Sequence, residues 1–108
     1  MVALYMFQMA YTPEAWAALV KNPQNRAEVS KLLPEGLGGR QIGFWLTFGE
    51  YDLVAIYEVP DNVTAAALAM GIAAGGAARA TKTTPLLTGE EMVEALRKAP
   101  QAGYQPPS

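Results

Sequence analysis

The stretch Arg40-Gln41-Ile42-Gly43-Phe44-Trp45-Leu46-Thr47-Phe48, Gly49-Glu50-Tyr51-Asp52, Leu53-Val54-Ala55-Ile56-Tyr57-Glu58-Val59 decides the fold. It reads as two strands rich in aromatic and β-branched residues, Arg40 to Phe48 and Leu53 to Val59, joined by a short hairpin connection. Alternation puts Ile42, Phe44, Leu46 and Phe48 on one face of the first strand and Gln41, Gly43, Trp45 and Thr47 on the other. In the second strand Val54 and Ile56 oppose Leu53, Ala55, Tyr57 and Val59. Neither strand shows the polar face expected of an antiparallel sheet with one side in water.

Upstream, Val2 to Tyr11 is a near-continuous apolar run that predicts another strand, with Val2, Leu4 and Met6 on one face and Tyr5, Phe7 and Met9 on the other. Thr12-Pro13 then supplies an N-cap and a proline at the first helical position, and Tyr11 and Trp16 stand at the two positions of a hydrophobic staple. Asn22-Pro23 repeats the cap-plus-proline signal and predicts a second helical segment from Pro23 to about Leu33, with Val29, Leu32 and Leu33 at helical spacing and Gly36, Gly38 and Gly39 ending it.

Downstream, Pro60-Asp61-Asn62 closes the second hairpin strand and caps a helix from about Val63 to Ala74, stopped by Gly75-Gly76. Within that helix Gly71-Ile72-Ala73-Ala74-Gly75 is a small-residue pattern that predicts close helix packing. Ala78 to Leu87 reads as a fourth strand, and Thr88 with Glu91 forms a capping box for a last helix reaching about Ala99. Residues 1–99 are then one domain and residues 100–108, with Pro106-Pro107, an irregular tail. The order β-α-β-β-α-β plus a terminal helix is that of a ferredoxin-like α+β domain, whose sheet carries its helices on one face. A sheet apolar on both faces needs a second copy over the other, so a homodimer or larger homo-oligomer joined through the sheet is expected.

Composition narrows the chemistry. Of 108 residues, 51% are hydrophobic and 17% charged, which supplies enough apolar surface for one folded domain and excludes intrinsic disorder. A net charge of −2 gives no electrostatic case for nucleic acid. With no Cys and no His, disulfides, thiol catalysis, thiolate metal sites and the commonest general base are gone. The start Met1-Val2-Ala3-Leu4-Tyr5 lacks the basic region of a signal peptide, and the weakly polar stretch Val63 to Ala78 is shorter than the roughly 20 residues of a spanning helix, so a cytoplasmic protein without membrane contact is expected. The carboxylates are scattered without paired spacing, so no metal is expected. Haem would have only Tyr or Met as axial ligand, and no cofactor is expected.

The segment Gly49-Glu50-Tyr51-Asp52-Leu53-Val54-Ala55-Ile56-Tyr57-Glu58-Val59-Pro60-Asp61 resembles the signature of the GYD-domain proteins, small bacterial proteins named for a Gly-Tyr-Asp element, here with Glu50 inserted between Gly49 and Tyr51. Gly43-Phe44-Trp45-Leu46-Thr47, the Ala-rich helix, and Thr81-Lys82-Thr83 before Pro85-Leu86-Leu87-Thr88 are similar too, so the resemblance covers about residues 2 to 98. It implies a dimeric α+β barrel and no settled activity. Related barrels include cofactor-free oxygenases, isomerases and haem proteins, so the fold does not choose a chemistry.

Candidate site residues follow from residue type and place. Tyr51 and Asp52 at the head of the third strand fit either turn chemistry, with Asp bonding nearby backbone N–H groups, or a general base beside a phenol. Tyr57 is a further candidate for proton transfer. Arg40, Arg79 and Lys82 on or beside strands serve as edge protection or as an anion clamp at a pocket mouth. Glu58 shares a face with Val54 and Ile56, and Trp45, Tyr57, Tyr5 and Phe7 are aromatic material for a core, an interface or a pocket. The leading expectation is an oligomeric binder of a small apolar ligand, with or without an anionic group. The alternatives are a cofactor-independent oxygenase or isomerase, and a structural oligomer without a ligand.

Overall fold

The computed structural model describes residues 3–108, so the part of the strand expectation that falls on Val2 lies outside the described residues. Four strands, β1 (Ala3–Tyr11), β2 (Arg40–Leu46), β3 (Leu53–Val59) and β4 (Ala78–Leu86), form one antiparallel sheet in the order β2-β3-β1-β4. Strands β2 and β3 are the hairpin, and β1 pairs β3 in a register that sets Tyr5 opposite Tyr57 and Phe7 opposite Ala55. The fold is ferredoxin-like α+β. Tyr5, Phe7, Ala55, Tyr57 and Val59 point to the helices and form the core with Ala65 and Leu68.

The helices are α1 (Pro13–Lys21), α2 (Arg26–Ser30), α3 (Leu32–Glu35), α4 (Asn62–Ala74) and α5 (Gly89–Lys98). At the start of α1, Thr12 Oγ1 accepts from Ala15 N at 3.1 Å, and the Tyr11 and Trp16 rings meet edge to face with centroids 5.0 Å apart, the expected staple. The single helix expected from Pro23 is instead two short ones, α2 and α3. Asn25, not Asn22, caps α2, its Oδ1 accepting from Ala27 N at 3.0 Å. The break before α3 traces to Pro34, which has no N–H to give the Ser30 carbonyl four residues back.

Strand β2 ends at Leu46 rather than at Phe48, which is fully exposed. Its register with β3 shifts between Gln41 and Gly43, leaving Ile42 as the extra residue of a bulge. That one residue breaks the simple alternation. Gln41, opposite Tyr57, joins Phe44 and Leu46 on the helix side, while Gly43, opposite Ile56, and Trp45, opposite Val54, go to the other face. Gln41 Nε2 there donates to the Ala27 carbonyl at 3.2 Å and ties β2 to α2.

Helix α4 is capped by Asp61, whose Oδ1 accepts from Thr64 N at 2.8 Å, and lays Ala65 and Leu68 on the sheet. Gly76, with φ +79°, makes the left-handed turn that leads into β4. The far face of the sheet, with Leu4, Met6, Val54, Ile56 and Trp45, stays part-exposed or exposed. Helix α5 has the expected capping box, yet all of its residues are exposed and it makes no extended contact except with the 3-10 turn Ala99–Ala102 that follows. The Cα radius of gyration, 17.1 Å against roughly 13 Å for a compact chain of this size, reflects the projecting arm. No helix among the described residues is long and apolar enough to cross a membrane.

Candidate functional site

Between the inner face of the sheet and helices α2, α3 and α4 lies a cavity of about 290 Å³. Each wall has a local cause. Arg26, Val29, Ser30 and Leu33 recur at helical spacing along α2 and α3 and so present one row to it. The sheet contributes Phe7, Phe44 and Tyr57, with the Phe7 and Tyr57 rings 5.0 Å apart and tilted by 41°. Helix α4 adds Gly71 and Ile72. The small-residue pattern there does not give the close packing expected of it: a Cβ on Gly71 would meet nothing within 4 Å. Its missing side chain leaves space in the cavity wall instead.

The polar atoms of the cavity are few. Tyr57 is buried, and its hydroxyl bonds the Ser30 hydroxyl and donates to the Ser30 carbonyl at 3.2 Å. That carbonyl is free to accept because Pro34 cannot use it, so the residue that breaks the helix also creates the phenol's partner. Burial pushes the Tyr57 phenol above its ordinary pKa, and the hydrogen bond with Ser30 offsets this only in part. Tyr57 is therefore a neutral donor at physiological pH. Tyr11 is also raised by burial, against the smaller lowering effect of the Arg26 guanidinium beside it. A second, more open depression flanked by α1 shares Tyr11, Arg26 and Phe44 with the cavity, so Arg26 stands where the two meet.

Among the residues singled out from the sequence, Tyr57 and Phe7 line this cavity, whereas Tyr5 and Trp45 do not. Asp52 faces the end of β1: its Oδ2 accepts from Tyr11 N at 2.8 Å, and its own N–H donates to the Met9 carbonyl at 2.8 Å. Tyr51 sits in the turn beside it, its carbonyl accepting from Thr47 Oγ1 at 2.6 Å. Arg40 and Glu58 are direct cross-strand neighbours paired through Nε and Oε1 at 3.1 Å, with Arg40 exposed. Trp45 lies across Gly43, where a Cβ would run into its ring. Arg79 and Lys82 are exposed on the edge strand β4, Lys82 opposite Gln8.

Reading the sequence missed Arg26, Ser30 and Tyr11. The first two carry a signal, since they share a helical face with Val29 and Leu33, but the apolar residues Val29, Leu32 and Leu33 alone do not point to the polar side chains beside them. Among the described residues no three His, Cys, Asp or Glu side chains gather closely enough to hold a metal ion.

No curated protein and no solved structure matches the chain. The family model described as the GYD domain matches residues 5–96 of the 108, from the first strand through most of α5 and including the Tyr51-Asp52 turn and the cavity-lining strands and helices: the chain belongs to the GYD-domain family.

Proposed function

We propose that the protein binds a small, largely apolar molecule in the cleft between sheet and helices, and does so as a homodimer joined through the open sheet face. The observation that carries the reading is the cavity itself, about 290 Å³ walled by Phe7, Val29, Phe44 and Ile72 with few polar groups, close to the lower end of about 300–1,000 Å³ for ligand pockets. A merely structural oligomer has no use for such a space, since interiors otherwise close to high density. Leu4, Met6, Val54, Ile56 and Trp45 support the dimer as a contiguous apolar surface. The cytoplasmic setting expected from the sequence belongs to the same reading, and fractionation of the host cell checks it.

Native mass spectrometry of the protein taken from its own host tests the reading directly. A dimer with a bound small molecule that is lost on denaturation is expected. Ligand-free protein from every growth condition, unmoved in melting temperature by small apolar compounds, would refute it.

One observation favours a second reading, a cofactor-independent enzyme. The Tyr57 hydroxyl is neutral and lines the cavity, and, turned away from the Ser30 carbonyl that now takes its one proton, it would serve as a donor to a ligand oxygen, which supports this reading. Conversion separates the two: a binder returns the molecule identified unchanged, whereas an enzyme turns it over, and Tyr57→Phe then keeps the affinity and loses the turnover.

A further inference from the structure

Eight Lys and Arg side chains occur in the chain, and among them Arg26 alone is half-buried; the rest are exposed. Its surroundings do not neutralise it. Lys31 has Glu28 at 2.8 Å and Arg40 has Glu58 at 3.1 Å, but among the described residues no carboxylate comes within ion-pair distance of Arg26. Its guanidinium donates from Nη1 to Oε1 of Gln24 at 2.8 Å on the solvent side and lies against the Tyr11 phenol, with which it also hydrogen-bonds; both partners are neutral. Asp52, which acts electrostatically on the same Tyr11, has one oxygen committed to the Tyr11 N–H. A guanidinium drawn partly out of water without an anion loses hydration that bonds to neutral groups return only in part. Yet Arg26 lines the apolar cavity and also the depression beside it, at the point where Tyr11 and Phe44 join the two.

We propose that Arg26 is the receptor for a carboxylate, and that the ligand class of the cavity is a compact apolar monocarboxylate. This rests on the ligand-binding reading above and adds its chemistry. The acid group sits at Arg26, whose planar fork accepts two carboxylate oxygens, with the Tyr11 hydroxyl as a neighbouring donor. The apolar body extends between Val29, Phe44 and Ile72 toward Tyr57. The cations first suggested by the strands, Arg40, Arg79 and Lys82, are outside this cavity, and Arg40 is already paired.

The test uses the full chain, purified free of ligand, and titrates octanoate and octan-1-ol by calorimetry. The probes differ in the head group and share the apolar body. Octanoate should bind about tenfold more tightly than octan-1-ol, and Arg26→Gln should abolish that preference while leaving octan-1-ol binding unchanged. Arg26→Lys, which keeps the charge without the fork, should retain part of the preference, and serves if Arg26→Gln folds poorly. Lys98→Gln on the projecting helix removes the same charge and should leave the preference intact.

Equal binding of the two probes, a preference that survives Arg26→Gln, or one that Lys98→Gln also removes would overturn the carboxylate site and leave the cavity reading standing. Failure of both probes to bind would overturn the two together.

Discussion

Helices α4 and α5 begin alike and end in opposite situations. Each is opened by a side-chain oxygen that accepts a backbone N–H three residues on, Asp61 from Thr64 and Thr88 from Glu91. Helix α5 is locally the better made, with the reciprocal bond from Thr88 N to Glu91, acids in its first turn and Arg97 and Lys98 in its last. Even so, α4 buries Ala65 and Leu68 against the sheet while α5 buries nothing. Local chemistry decides whether a helix forms, and a facing surface decides whether it is held. Helix α4 is apolar nearly all round, so any face it turns inward finds the core; α5 confines Met92, Val93 and Leu96 to one side, and all three stay exposed.

The sharpest break in this contrast would come from Leu68, at 4% exposure the side chain that pins α4. Leu68→Ala should cost about 2–5 kcal/mol in denaturant unfolding. A loss below about 1 kcal/mol would mean that α4 is no better anchored than α5.

The turn at Asp52 is an intermediate case, held at a point rather than along a face. Asp52→Ala leaves the Tyr11 N–H without its acceptor and should cost about 1–3 kcal/mol, with Asp52→Asn costing less because an amide oxygen still accepts. If Asp52→Ala melts at or above the parent temperature, the structural role fails and Asp52 returns as a candidate for chemistry.

Leu96, 58% exposed, supplies the opposite limit. In dilute protein Leu96→Ala should stay within about 0.5 kcal/mol of the parent. A larger loss that grows with protein concentration would reveal α5 covered by another copy. The smallest effect belongs to Thr88→Ala. It should speed amide exchange along α5 and leave the global melting temperature in place, whereas Asp61→Ala at the matching position of α4 lowers it.

What the sequence made legible is what neighbours along the chain determine. The caps at Thr12, Asp61 and Thr88, the two hairpin strands and the order of elements follow from residues within a few positions of one another. The bulge at Ile42 did not show, because period-two alternation fits Gln41 to Phe48 equally well until the partner strand imposes its register. The division of α2 from α3 has its local cause in Pro34, a signal that competes in the sequence with the cap and proline at Asn22-Pro23. The cavity was least legible. It depends on Gly71 leaving room rather than filling it, and on Arg26 meeting Tyr11 across the fold, and neither fact is local.

The chain has two tryptophans, and the fold gives them different surroundings. Trp16 stands edge-on to Tyr11 in the depression that adjoins the cavity. Trp45 lies over Gly43 on the open face of the sheet, 54% exposed. They are thus separate optical reporters, one in the depression beside the cavity and one on the open face of the sheet. Under the proposed binding and pairing, the emission left by Trp45→Phe would follow occupancy and that left by Trp16→Phe would follow association, so the order of the two events could be read by comparing the two variants in parallel mixing experiments.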